Sequence, residues 1–402
     1  MNEKKSQNRK ETCKGYVLPI GPQHPMYVEA ENLMLHLDGE TIVDVEVNIG
    51  YMHRGIEELM QRRNYIQNLY LAERICGICS GVHTVTYCQC IENLMGIENI
   101  PERAKYIRTI ILELERIHSH FLFLGVLAYE LGLDTAFMYT WRDREYVMDI
   151  LEMISGNRVN YSMPTFGGVK RDIPDSKIPE ILKKLDYLES RAKYYAKVFH
   201  SDMLIRKRTT GKGKLSKNFA EKYSIVGPVA RASGLKIDVR KDMPYLLYDE
   251  LDWRIVTKRE CDSHARIMVK VYEILESVRI LKQCFRKVSK TEKILKIKAP
   301  LRVEPNEALA VTEAPRGELL YYAISNGTDV PERIRVRTPT FANIVKSIPE
   351  ILKGEQLGDL PVIIASMDPC FSCCDRITLL DVNTGEVKSL DGSELRRMGE
   401  RK

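Results

Sequence analysis

The sequence predicts a mainly α fold of the α+β class: a core bundle of long helices, with small antiparallel sheets supplied by the N- and C-terminal regions. Three observations predict it. PERAKYIRTIILELERIHSHFLFLGVLAYELG (101–132) keeps apolar residues at three- and four-residue spacing throughout, as a helix in a bundle core does. NLMLHLDGETIVDVEV (32–47) alternates apolar and polar residues on both sides of Asp38-Gly39, a hairpin signal. Residues 301–341 break into short alternating segments with Gly and Pro between them, which read as strands and loops.

Residues 1–15 are expected to be a disordered polar tail, and residues 16–376 one domain in three parts. The first, 16–55, opens with YVLPIGPQHP (16–25), whose Pro and Gly punctuation reads as a loop. The 32–47 hairpin follows, then a second loop, YMHRGIEEL, bracketed by Gly50 and Gly55. From 56 to 290 the period is helical, with Pro101 at the expected first turn of the 101–132 helix. MYTWRDREYVMDILEMISG (138–156), SKIPEILKKLDYLESRAKYYAKVFHSDMLIRKR (176–208) and CDSHARIMVKVYEILESVRILKQCFRKV (261–288) predict three more long helices, and SMPTFGGVKRDIP (162–174) a loop. The third part, 300–376, holds the strand-and-loop region and a short helix at IPEILKGE. Residues 377–402 form a C-terminal extension, with a hairpin expected around Asn383-Thr384-Gly385.

The 402 residues, 44% hydrophobic and 29% charged, suffice for a large core. No uncharged apolar run reaches the ~18 residues of a membrane span. MNEKKSQNRKETCKG lacks the apolar stretch of a secretory signal. The net charge of +6 is spread along the chain except for LIRKRTTGKGKLSKNF (204–219), read as a solvated loop. No recognition motif accompanies it, so nucleic acid is not an expected partner. No G-x-G-x-x-G follows a strand, so NAD binding has no support.

Chemistry concentrates in the ten cysteines. Four form two Cys-x-x-Cys pairs at opposite ends of the chain: Cys76 and Cys79 in ERICGICSGVH, Cys370 and Cys373 in MDPCFSCCDR. In a reducing compartment such pairs mean metal or redox chemistry more often than disulfides. Thiolates at i, i+3 reach one soft metal from a single turn, and two pairs make a four-sulfur site. On spacing alone, structural zinc is the simplest occupant. Three features stand against it. The pairs are far apart, whereas zinc ribbons close short loops. His83 lies one helical turn beyond Cys79, where it can hydrogen-bond a thiolate. The second pair follows a fixed Asp368-Pro369 turn. Cys13, Cys261 and Cys284 read as isolated residues. Cys88 and Cys90, at i, i+2 on a helix, point apart and make poor partners for one metal.

Arg74-Ile75-Cys76-Gly77-Ile78-Cys79, with His83, resembles the N-terminal metal signature of nickel-iron hydrogenase large subunits. Asp368-Pro369-Cys370 through Cys373 to Arg376 resembles their C-terminal signature, and Ala314-Pro315-Arg316-Gly317 and Pro339-Thr340 match further family motifs. GPQHP (21–25), His53-Arg54-Gly55-Ile56-Glu57 and Gly167-Gly168-Val169 to Asp172 are similar to the branch shared with the 49-kDa quinone-site subunit of respiratory complex I. The resemblance covers about residues 16–390 and points to the membrane-bound, energy-converting hydrogenases, including the formate-hydrogenlyase type. A complex-I-like quinone oxidoreductase subunit is the alternative; it shares the GPQHP loop and a tyrosine at the place of Tyr87 but lacks the four cysteines. A sulfur-reducing relative and a structural zinc-binding scaffold are further alternatives.

The resemblance implies roles. Cys76 and Cys370 would be terminal ligands to nickel, and Cys79 and Cys373 would bridge nickel to an iron carrying carbon monoxide and cyanide. Four soft thiolates leave nickel an open position, suited to heterolytic cleavage or formation of molecular hydrogen beside a base. Two bases are open: the Cys370 thiolate, and Arg316, which resembles the arginine that overhangs the metals. A guanidinium is normally protonated, so the other role for Arg316 is to bond a cyanide ligand or a carboxylate. His83 would donate to a bridging sulfur. Glu29 holds the place of the family's proton-gating glutamate, with Glu31 as the other register. Cys374 stands where the family usually has a small hydroxyl residue. His24 would shape the loop near a partner subunit, and His118 and His120 read as helix-surface or core histidines.

No further cysteine cluster has ferredoxin-like spacing, so electrons are expected to leave through partners. These are an iron–sulfur small subunit, a ferredoxin or formate-dehydrogenase module, and membrane subunits that translocate ions. Through them the chain is expected at the cytoplasmic, inner face of the membrane. A maturation protease is expected to cut after Arg376 once nickel is bound, with a retained C-terminal hairpin as the alternative.

Overall fold

The computed structural model describes residues 15–300, 302–374, 379–380 and 387–388. A three-stranded antiparallel sheet comes first: β1 (Tyr16–Ile20), β2 (Asn32–Asp38) and β3 (Thr41–Asn48), in that order. β2 and β3 form the expected hairpin, with Asp38 opposite Thr41. The segment expected as a loop is half strand, because β1 pairs with β2 and sets Pro19 opposite Met34. Proline is tolerated there because β1 is the sheet edge, where a missing N–H can face away from the ladder.

Two short helices follow, α1 (Ile56–Met60) and α2 (Tyr65–Glu73), the second started by a reciprocal capping box between Asn64 and Gln67. The bundle is α3 (Ser80–Leu94), α4 (Glu102–Glu130), α5 (Asp134–Ser155), α6 (Ile178–Ser201) and α7 (Ser263–Val288). The four long helices expected from periodicity are α4 to α7. The third of them is two helices, because Asp202 turns extended and caps a new one, Met203–Thr209, at the Leu204 and Ile205 amides. Three helices of under two turns, Lys217–Lys222, Gly227–Ala232 and Val239–Asp242, have too few residues to show a period. The basic run 204–219 is helical at both ends rather than a loop; Arg206, Lys207, Lys214 and Lys217 are exposed as expected, whereas Lys212 lies 2.7 Å from Asp359 and 3.3 Å from Glu355, and Arg208 3.3 Å from Asp359.

α4 packs against α5 and α7 and is buried almost all round, so its charged residues need partners inside the core. Arg108 meets Glu92 at 2.6 Å and donates to the Gly168 carbonyl at 2.9 Å. The Gly167 amide donates to the same Glu92 at 2.8 Å. The Gly167-Gly168 motif, a small hairpin of β4 (Pro164–Thr165) and β5 (Gly168–Val169), is thereby anchored on a buried ion pair.

The C-terminal sheet is β6 (Glu307–Ala314), β7 (Gly317–Ile324) and β8 (Arg333–Arg337), antiparallel throughout. After it come α8 (Pro339–Leu352), α9 (Leu360–Met367) and a 3-10 turn, Phe371–Cys373. IPEILKGE is the end of α8. β9 (Leu379–Leu380) and β10 (Val387–Lys388) pair antiparallel on either side of the expected turn. Residues 1–14 and the expected cut after Arg376 lie outside the described residues.

Among the described residues two large hydrophobic cores form, beside a small cluster of Ala232, Ala265 and Val269. The larger joins the bundle to the C-terminal sheet; the smaller lies between β1–β3, α8, α9 and residues 215–235. Both cysteine pairs belong to the larger core, whereas Met367 and Phe371, which flank the second pair, belong to the smaller. No described helix is long and apolar enough to cross a membrane.

Candidate metal centre

Cys76 and Cys79 lie in the turn from α2 into α3, and Cys79 is the N-cap of α3. A thiol is a poor cap, so Glu115 from α4 caps in its place, accepting from the Gly81 amide at 2.6 Å and the Val82 amide at 2.8 Å. Burial pushes Glu115 up to about 8 despite those bonds. α3 comes this close because residue 81 is glycine: a Cβ there would lie 2.8 Å from Ile111.

Cys370 and Cys373 follow α9, where Asp368 turns the chain with a left-handed φ of 52°. The first turn of α8 cradles this loop. Thr340 accepts from the Cys370 amide at 3.2 Å, and Thr338 donates to the Cys373 carbonyl at 2.9 Å. Arg54 ties the two loops together, donating to the Ile75 carbonyl at 2.7 Å, the Arg74 carbonyl at 3.0 Å and the Ser372 carbonyl at 2.9 Å.

The four sulfurs converge. Cys76 and Cys370 are 3.2 Å apart, Cys370 and Cys373 3.3 Å, and Cys79 and Cys373 3.9 Å, all buried. Thiolates around a tetrahedral metal at ~2.3 Å would sit about 3.8 Å apart, so the donor set fits a thiolate metal centre. Charge is unevenly shared. Cys76 is held well below the thiol range by hydrogen bonds from Cys370, Cys373 and Cys79, aided by Arg316. Cys370 is pushed well above it, first by its bonds to Cys373 and Cys76.

His83 lies with Nε2 3.8 Å from the Cys373 sulfur and Nδ1 2.8 Å from the Tyr321 hydroxyl. Burial lowers it to about 4, so the ring is neutral. A Tyr321 hydroxyl donating to Nδ1 would put the ring proton on Nε2, toward the sulfur. Arg316, between β6 and β7, donates to the Asp368 carbonyl at 2.8 Å, its carboxylate at 2.6 Å and the Ser119 hydroxyl at 3.1 Å. Burial opposes its charge, but Asp368 and the cysteines beyond override this and raise it further. The next residue, Gly317, has φ 130° and packs backbone to backbone on Gly227, where a Cβ would lie 2.9 Å from the Gly227 Cα. That contact sets the turn carrying Arg316. Arg316, Cys79, His83 and Cys373 line a cavity of about 10 Å³.

Of the two glutamates, Glu29 reaches the site. One carboxylate oxygen lies 3.9 Å from the Cys370 sulfur and also accepts from the Ser372 hydroxyl; the other accepts from the Ser372 amide at 2.8 Å. Glu31 is fully buried, neither oxygen has a partner, and burial pushes it up to about 8. Cys374 is buried within the field of both glutamates. His118 and His120 are core residues, on Arg144 and, at 2.8 Å, on Glu273. Cys88, Cys90 and Cys284 are buried away from the cluster, Cys261 is half-buried, and Cys13 lies outside the described residues. Tyr87 turns its hydroxyl into the Tyr65 carbonyl at 3.1 Å. His24 lines a separate cleft with Tyr27, Glu29 and Met52.

Arg54, Glu115, Ser372 and Lys270, which meets the carboxylate of Asp368, were not singled out from the sequence. A signal existed for Arg54, in the His53-Arg54-Gly55 motif, and for Ser372, inside the second cysteine pair.

The family described as "Respiratory-chain NADH dehydrogenase, 49 Kd subunit" matches residues 130–301 and 291–376. The family described as "Nickel-dependent hydrogenase" matches residues 54–134, the segment with the first cysteine pair. The chain belongs to the hydrogenase and respiratory 49-kDa subunit family of oxidoreductases. This family member is 42% identical to the "Membrane-bound hydrogenase subunit alpha" of Pyrococcus furiosus, over 90% of this chain and 88% of that protein. It is 38% identical to an NADH-quinone oxidoreductase subunit of Dehalococcoides mccartyi, over 90% and 98%. Among solved structures it matches a chain of the membrane-bound sulfane sulfur reductase, an archaeal respiratory membrane complex. The TM-score is 0.85 at 33% identity, covering 90% of this chain and 98% of that one.

Proposed function

We propose that this chain is the catalytic subunit of a membrane-bound nickel-iron hydrogenase that splits or forms molecular hydrogen heterolytically. One observation carries the reading: sulfurs from both distant cysteine pairs meet in a single buried cluster. Cys76, Cys79, Cys370 and Cys373 would together hold the nickel and iron. When bound, the metal pair supplies soft Lewis acidity and an open coordination position.

The chain's residues do the rest. Cys370 takes the proton and passes it to Glu29, whose carboxylate Ser372 holds beside the sulfur. His83 donates to the Cys373 sulfur and steadies it. Arg316 stays protonated and presents its charge at the cavity wall. Electrons leave through an iron–sulfur small subunit to a ferredoxin or formate-linked module. Membrane subunits that translocate ions hold the chain at the inner, cytoplasmic face. A maturation protease cuts after Arg376; intact mass of active protein checks this, and a C-terminus still at Lys402 refutes it.

Metal analysis of the purified complex, with infrared spectra of the carbon monoxide and cyanide stretches, tests the reading. Nickel, iron and those bands support it; zinc alone overturns it. Cys79→Ser should lose nickel, whereas Cys284→Ser should keep it. A second reading, a quinone-reactive complex-I-like subunit, is favoured by the match of residues 130–376 to the 49-kDa family and by the cleft of about 570 Å³ at the GPQHP loop. Quinone reductase activity in a metal-free complex would establish it.

A further inference from the structure

Asp368 carries two cations. Arg316 takes one carboxylate oxygen at 2.6 Å and the backbone carbonyl at 2.8 Å. The ammonium of Lys270, from α7, takes the other oxygen. All three side chains are nearly sealed from solvent, at 5% exposure for Arg316, 6% for Asp368 and 1% for Lys270. Lys270 also lies over the Phe123 ring, 4.1 Å from its centre.

One carboxylate neutralises one cation, so this triad buries one positive charge in excess. Two further acids lie close by: Glu273, one turn along α7, is committed to Arg231 at 2.9 Å and His120 at 2.8 Å, and Glu29, which lines a cavity with Arg316 and Asp368, is held by the Ser372 amide at 2.8 Å. A buried surplus charge is costly by several kcal/mol unless an opposite charge faces it. What faces this one is the cysteine cluster, whose sulfurs lie within the field of Arg316.

We propose that Lys270 is a positioning residue of the centre: it locks the Asp368 carboxylate so that Arg316 is held over the sulfurs, and it supplies the surplus positive charge that balances them. This rests on the hydrogenase reading given above. Burial draws Lys270 down to about 8, against the pull of Asp368, so the ammonium is retained at neutral pH. A methionine of similar length would fill the same space and still pack on Phe123. Keeping an ammonium there makes sense only through its charge and its bond.

The test compares Lys270→Met and Lys270→Arg in the whole purified complex. Lys270→Gln, which keeps a donor without the charge, takes the place of Lys270→Met should that variant not assemble. Three readouts are taken beside nickel content: the iron carbonyl and cyanide infrared bands, hydrogen–deuterium exchange with water, and the position of Arg316 by electron cryo-microscopy. The expected result for Lys270→Met is unchanged nickel, bands shifted to lower wavenumber, exchange reduced tenfold or more, and Arg316 swung off Asp368. Lys270→Arg should restore the bands. Wild-type bands, exchange and Arg316 placement in Lys270→Met would overturn the inference. So would a loss of exchange that only tracks a loss of nickel. A wild-type complex without those bands would instead sink the hydrogenase reading, and Arg316 placement alone would then decide the positioning role.

Discussion

The guanidinium of Arg54 donates to the Ser372 carbonyl at 2.9 Å while the same nitrogen donates to the Ile75 carbonyl at 2.7 Å. One side chain thus spans the two cysteine loops and fixes their separation. Arg54→Met removes that tie and should release nickel faster under a chelator, by about tenfold for ~1–2 kcal/mol of lost bonding. Arg54→Lys should rescue only in part, since a point cation lacks the planar fork. Timed metal release from the two variants checks this; equal rates in Arg54→Met and wild type would remove the clamp.

Glu29→Gln keeps the shape and the bond from the Ser372 amide, turns the hydroxyl bond round so that the new amide donates, and loses the titratable group. Hydrogen–deuterium exchange should fall by about 100-fold or more, with metals retained. Ser372→Ala leaves the backbone donor in place, so a smaller fall, about tenfold, is expected. A large loss in Glu31→Gln with none in Glu29→Gln would reverse the choice of relay.

Glu31 predicts a pH effect on stability. Its folded-state value, about 8, lies above its ordinary 4.5. The unfolded chain therefore gives up that proton first as pH rises. The contribution is complete below about 4.5 and is lost by about 8. Glu31→Gln should match wild type near pH 5 and exceed it near pH 8, on the order of 1–3 kcal/mol. Denaturant midpoints of both proteins at the two pH values decide it; a constant difference contradicts it.

Gly317→Ala forces a Cβ against Gly227 in a left-handed backbone. The strain should cost about 1–3 kcal/mol and shift the turn that bears Arg316. The unfolding midpoint and the exchange rate should fall together; a neutral substitution would show that the backbone contact does not set the turn.

Local pattern made much of this legible. Sustained three- and four-residue spacing marked α4 to α7, alternation marked β2 and β3, and identical spacing marked the two cysteine pairs. What escaped has a common cause, that its reason lies in a distant partner. Pro19 looks like a loop residue until β2 is seen to leave β1 as an edge. Arg208 and Lys212 look like the rest of the exposed basic run until Glu355 and Asp359 are placed against them. Glu115 sits in a helical stripe with nothing to mark it as the cap of another helix. Lys270 is one lysine among many until Asp368 arrives beside it.

The cysteine pairs stand 294 residues apart in the chain and meet where the two cores adjoin. Any metal gripping sulfurs from both pairs therefore acts as a rivet that closes most of the polypeptide into a ring. By the loop-closure relation for cross-links, such a ring takes on the order of 5–6 kcal/mol of chain entropy from the unfolded state. Metal loss should then be felt far from the centre, as a lower unfolding midpoint for both cores together rather than as a defect confined to one loop.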